Sequence, residues 1–239
     1  MVAIGIFLAL EALMYIGFDG IMLTPSDAKV MRAFDRDSIR AEVRHYQVDG
    51  QRVRYLDVGD TLLPLIIFIH GAPGALVDFG NLYQDSALLA HYRMVSVDRP
   101  GYGSSGFGRA RTSIQEQARL LAPLLHLNRH AQKPILVGHS FGGPVVARMA
   151  MDYQSQIGEI HLVAGAVDPG HEVIFWISYP LSVKPLTYLM PVGMQVANRE
   201  KLAHVEELQK MLPLWQNITV PVTIIHGEKD KLVPIQNAY

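Results

Sequence analysis

Residues 138–142 read Gly138-His139-Ser140-Phe141-Gly142, with Gly143 directly behind them. The apolar run 134–137 precedes this stretch, and residues 141–153 space their apolar side chains as a helix does. The pattern predicts a strand, a very tight turn and a helix. A Gly-x-Ser-x-Gly turn in that setting is a nucleophile elbow. The turn forces the serine backbone into a strained conformation and pushes its hydroxyl into a cleft. Small residues two before and two after avoid the neighbouring strands, and the helix behind aims its positive end at developing negative charge. Ser140 is the expected nucleophile, and the Phe141 amide is one expected oxyanion donor.

Outward from the elbow, the same alternation recurs. Apolar runs at 64–69, 93–97, 159–163 and 222–225 read as strands buried on both faces. Helical patterns lie near 78–90 and 113–127. Strands alternating with helices predict an α/β fold with a mostly parallel central sheet flanked by helices. Ahead of it, residues 44–48 and 51–58 alternate in polarity around Asp49-Gly50, a hairpin pattern. Thr24-Pro25-Ser26-Asp27 reads as the start of a short helix running to about Phe34. Residues 171–217 break the rhythm, being rich in aromatic residues, Met and Pro before turning helical near 198–211. They are read as a cap insertion rather than a second domain.

Each remaining motif follows a predicted strand, where ligands bind in open α/β sheets. His70-Gly71-Ala72-Pro73-Gly74 can turn the Ala72 amide toward Ser140, completing an oxyanion hole with Phe141. His70 reads as a brace for that loop. Asp98-Arg99-Pro100-Gly101-Tyr102-Gly103-Ser104-Ser105 reads as a structural turn, with Asp98 and Arg99 as an ion pair. His226-Gly227-Glu228-Lys229-Asp230 offers the acid of a triad: Asp230 first and Glu228 second, with Asp168 behind the preceding strand as the fallback.

These motifs, in this order and spacing over residues 41–239, resemble the α/β-hydrolase superfamily. The likeness is to its serine-nucleophile esterases and lipases, and the oxyanion loop is similar to that of proline iminopeptidases. The resemblance implies a Ser-Asp-His triad, no cofactor, no metal, and a cap inserted before the strand that precedes the acid. It also implies a last helix, a last strand and a histidine after the acid. Only nine residues follow Asp230 and none is His, so the chain is expected to lack its C-terminal end.

Composition narrows the function classes. The chain has 239 residues, 49% of them apolar, and a net charge of −1, which excludes a disordered chain and the basic face of a nucleic-acid binder. There is no cysteine, hence no thiol nucleophile, disulfide framework or Cys-based zinc site. Residues 2–18 carry one charge, Glu11, and no Lys or Arg precedes Lys29. The segment 1–23 is therefore expected to be a single-pass membrane anchor, with 24–239 the hydrolase domain and the side of the membrane left open.

The expected function is a serine hydrolase that cleaves a carboxylic ester of a small or apolar substrate through an acyl-enzyme. Phe175, Trp176 and Tyr179, with Tyr188, Met190 and Met194, are candidate substrate contacts from the cap. The rival is a binding protein of the same fold that does not turn over its ligand, because the chain holds no histidine after the acid.

Overall fold

The computed structural model describes residues 25–34 and 39–239. Helix α1 (Asp27–Met31) starts at Ser26, whose hydroxyl accepts from the Lys29 amide, with Asp27 in the first turn. Strands β1 (Ala41–Val48) and β2 (Gln51–Val58) form the expected hairpin. Val48 pairs with Gln51, and Asp49 (φ 47°) and Gly50 (φ 72°) are both left-handed. That two-residue turn has the twist of the strands it joins.

Strands β3 (Leu65–Ile69), β4 (Arg93–Val97), β5 (Ile135–His139), β6 (Glu159–Val163) and β7 (Val222–Ile225) complete one sheet of seven, in the order β1-β2-β4-β3-β5-β6-β7. β3 to β7 are parallel, while β1 and β2 run antiparallel to their neighbours. Period-two alternation splits the core between two faces. Leu65, Ile67 and Ile69 of β3 join Val53 and Tyr55 of β2 in one cluster, with α3 (Ile114–Leu121) and α4 (Gly142–Tyr153). Ile66 and Phe68 turn to the other face with Leu56, Val58, Leu76 and Tyr83.

The chain runs from β3 outward to β4 and then returns to β5 on the other side of β3. The gap between the carboxyl ends of β3 and β5 is a topological switch point, where a crevice forms. The elbow follows β5 and the loop 70–74 follows β3, so both meet there.

Three expectations change. The helix expected near 78–90 is a 3₁₀ turn (Leu82–Gln84) followed by the short α2 (Ser86–His91), because Asp85 interrupts the run and caps α2 through the Ala87 and Leu88 amides. β7 is not buried: it lies at the sheet edge, with Val222, Ile224 and Ile225 exposed. Apolar content alone does not distinguish an edge strand from a central one. Membrane anchorage is withdrawn. Among the described residues no helix is long and apolar enough to cross a membrane. The longest, α5 (Val192–Met211), has 20 residues but carries Arg199, Glu200, Lys201, Glu206, Glu207 and Lys210. Residues 2–18, on which the anchor was expected, lie outside the described residues.

Candidate active site

Ser140 has φ 52°, left-handed backbone that a side chain rarely adopts. Its amide donates to Val163 O (3.0 Å), and its own carbonyl accepts from the amides of Gly143 (3.0 Å) and Ala166 (3.2 Å). These bonds tie the turn to β6 and to the loop after it. The glycines are sterically required. A Cβ on Gly142 would stand 2.2 Å from Ile69 O, one on Gly138 2.4 Å from Gly142 O, and one on Gly143 2.8 Å from the Gly165 Cα. A Cβ on Gly71 would reach the Ser140 Cβ at 3.0 Å, a measure of how closely the loop after β3 approaches the serine.

That loop is held from below. Buried His70 accepts from the Arg99 amide at Nε2 (2.9 Å), and its Nδ1 donates to Gly71 O (2.7 Å). Both ring nitrogens are used by a neutral imidazole. Burial, with the Arg99 charge alongside, keeps the His70 pKa well below its ordinary value. Arg99 binds His70 O and Gly71 O through Nε and Nη2, both at 2.9 Å. Neither the Ala72 nor the Phe141 amide donates to another backbone group among the described residues. Both residues line one cavity of about 300 Å³ together with Ser140.

Asp98 and Arg99 do not pair with each other. Asp98 accepts from the Leu76 (2.9 Å) and Ser104 (3.1 Å) amides and meets Arg54 at 3.3 Å. Arg99 grips Glu200 of α5 with both Nη atoms (2.8 and 3.1 Å), and Gln117 and Tyr102 add bonds to the same carboxylate. Adjacent side chains on an extended chain point opposite ways, so each finds a partner far off in sequence.

Asp230 accepts from the Leu232 and Val233 amides, both at 2.9 Å, and these bonds hold its carboxyl below the usual range. No histidine is hydrogen-bonded to Asp230 or to Ser140 among the described residues. His226 Nε2 meets Val233 O, and His171 Nδ1 meets Asp168 Oδ2 (2.5 Å). The fallback acid Asp168 thus faces His171, lines a different cavity beside β7, and does not line that of Ser140. Glu228 is exposed.

Of the candidate substrate contacts, Phe175 lines the Ser140 cavity, as do Met190 and Met194. Trp176 (78% exposed) and Tyr179 (59%) do not; Trp176 opens the 3₁₀ turn Trp176–Ser178 and Tyr179 joins it to the next, Pro180–Ser182, and both face solvent.

Residues 64–192, more than half of the chain, match the family model described as alpha/beta hydrolase fold. The chain belongs to that family. A 22% identical relative is the 2-hydroxy-6-oxo-6-(2'-aminophenyl)hexa-2,4-dienoic acid hydrolase of Metapseudomonas resinovorans, with 82% of this chain and 77% of that protein aligned. The dihydrolipoyllysine-residue acetyltransferase component of the acetoin cleaving system of Cupriavidus necator is 33% identical over 117 residues, 49% of this chain and 30% of that protein. The chain therefore spans about a third of the length of the first curated relatives it matches. A solved membrane phospholipase A, described as a bacterial virulence factor, superposes with a TM-score of 0.62 at 19% identity, over 99% of this chain and 81% of that one. At that identity it speaks for the fold alone.

Reading the sequence missed one feature of this α/β-hydrolase chain. His204 of α5 is 1% exposed, lines the Ser140 cavity and stacks on the Phe141 ring (4.5 Å, 26°). Its Nδ1 lies 3.0 Å from Glu172 Oε1, which Lys201 also contacts. Burial pushes the Glu172 carboxyl up, but the contacts from His204 and Lys201 outweigh it and hold it below its usual range. The signal available was a histidine inside an amphipathic helix; nothing in the sequence joins it to Glu172.

Proposed function

We propose that the chain is a serine hydrolase that cleaves a carboxylic ester of a small, largely apolar substrate. The observation that carries this reading is Ser140: left-handed backbone between obligatory glycines, lining a largely apolar cavity, on the N-terminal side of α4. In this reading the Ser140 oxygen attacks the ester carbonyl. The Ala72 and Phe141 amides donate to the oxyanion as it forms. The alcohol leaves, and water then releases the acid from the acyl-enzyme. Asp230 is the acid that orients and charge-compensates a histidine base. The ionised state of Asp230 supports that role, as does its position after the strand next to β6.

A second reading is favoured by the histidines. None among the described residues is bonded to Ser140 or Asp230, and serine without a base is a weak nucleophile. On this reading the cavity holds a ligand without turnover. A fluorophosphonate probe on the full-length protein separates the two. The hydrolase reading expects a single adduct on Ser140, absent in Ser140→Ala, with hydrolysis of p-nitrophenyl butyrate falling by about 10³-fold or more. An unlabelled, correctly folded protein would decide for binding alone.

A further inference from the structure

Two donors hold the Gly71 carbonyl in the loop after β3. Arg99 Nη2 reaches it at 2.9 Å and His70 Nδ1 at 2.7 Å. Arg99 Nε takes the preceding carbonyl, that of His70. The other guanidinium donors go to Gln117 (2.6 Å) and to both oxygens of Glu200. All five N–H groups of Arg99 are thereby committed, in a site without solvent.

The Gly71 carbonyl and the Ala72 amide belong to one peptide unit, which is trans and planar. Their C=O and N–H point in opposite directions, so whatever fixes the carbonyl also aims the amide. The carbonyl faces buried Arg99. The Ala72 amide donates to no backbone group among the described residues, and Ala72 lines the cavity of Ser140. Arg99 also stands 4.7 Å over the ring of Phe141, the residue that carries the second oxyanion donor. A lysine could neutralise Glu200, but its one nitrogen cannot span a carboxylate and two carbonyls. Pairing with Glu200 does not by itself demand arginine; aiming the peptide does.

We propose that Arg99 is a positioning residue for ester cleavage: it turns the Gly71–Ala72 peptide so that the Ala72 amide meets the oxyanion, and Glu200 of α5 holds it in that pose. The inference rests on the serine-hydrolase reading. Its test compares Arg99→Lys with Arg93→Lys. Arg93, at the opposite end of β4, likewise grips a buried carboxylate with two nitrogens (Asp57, both 2.8 Å) and a carbonyl with the third. Losing an oxyanion donor outright costs about 10²–10³ in kcat, so misaiming one in Arg99→Lys is expected to cost about 10- to 100-fold. KM for p-nitrophenyl butyrate should change less than about threefold, because the interaction is made in the transition state. Inhibition by 1,1,1-trifluoro-2-hexanone should weaken by the same factor as kcat. Its carbonyl carbon takes the Ser140 oxygen, the serine proton leaves, and the carbonyl oxygen becomes the anion. 2-Hexanone, which binds without forming that anion, should bind as before. Arg93→Lys is expected to lose stability in urea but to keep kcat, KM and both inhibition constants. Equal kcat losses in the two variants, or a raised KM with kcat kept in Arg99→Lys, overturns the inference. If Arg99→Lys does not fold, the second donor to the same carbonyl decides. His70→Asn places an amide N–H near the Nδ1 position and should retain most of kcat, whereas His70→Ala should lose it; equal losses overturn the inference. The fluorophosphonate tells the two failures apart. No adduct in the unmutated protein fails the hydrolase reading and takes this inference with it. Equally fast labelling of the unmutated protein and Arg99→Lys fails the inference alone.

Discussion

At the scale of the residue, the elbow combines two separate costs, torsional strain and lack of space, and substitutions can tell them apart. Ser140 carries the torsion, since an L-residue at φ 52° sacrifices about 1–2 kcal/mol. Gly142 carries the space, because a Cβ there overlaps the backbone oxygen of Ile69 at 2.2 Å, and no rotamer change relieves a backbone clash. Gly142→Ala is therefore expected to lose about 3 kcal/mol or more in urea unfolding. Gly50→Ala is the control for torsion alone: φ is +72° and nothing lies within 4 Å of the added methyl. It should lose about 1 kcal/mol. Gly227 has open space and no positive φ, so Gly227→Ala should be nearly silent. Equal losses at Gly142 and Gly50 would show that close approach is not what the elbow requires.

At the scale of the element, α5 is joined to the sheet by charge as well as by apolar packing. Glu200 projects from the helix into a site with no solvent, where Arg99, Tyr102 and Gln117 converge on its carboxylate. The same Arg99 holds the carbonyls of His70 and Gly71 and stands 4.7 Å over the Phe141 ring, which His204 stacks upon. One guanidinium thus links α5, the loop after β3 and the elbow. Glu200→Gln leaves that cation buried without its counter-charge, and a loss of about 3–5 kcal/mol is expected. Replacing the pair by apolar side chains of similar volume should cost much less, as uncompensated charge, rather than absent attraction, sets the penalty. Chemical unfolding of the two variants measures the difference. A mild effect in Glu200→Gln would mean that water reaches Arg99.

At the scale of the whole molecule, the sheet was legible because its strands carry local signals: apolar runs for β3, β4 and β6, alternation around Asp49-Gly50, and glycine spacing at the elbow. What was not legible depends on distance along the chain. Arg99 and Glu200 are 101 residues apart, and Asp98 and Arg54 are 44 apart; a sequence displays their charges but not their neighbours. Glu172 and His204 were hidden for the same reason, and β7 because an apolar run does not report its place in the sheet order. These long-range contacts also make the fold's acid response predictable. His70 is buried and neutral, its pKa held well below the ordinary 6.5, whereas the unfolded chain takes up a proton there near 6.5. Below that pH the unfolded state binds the extra proton, so stability rises with pH across the window and is lost as pH falls. The His70 contribution is complete above pH 6.5 and declines below it by at most about 1.4 kcal/mol per pH unit. Glu172 and Glu207, both held below their ordinary 4.5, add a second loss only below that value. Urea unfolding of the parent and of His70→Gln between pH 7.5 and about 5 isolates the first effect, since only one ring has changed. His70→Gln is expected to start less stable, because the Gly71 and Arg99 bonds are remade imperfectly, but to show the flatter profile. Parallel profiles would mean that His70 takes a proton in the folded state after all, and that the brace beneath the loop at Ala72 is charged rather than neutral.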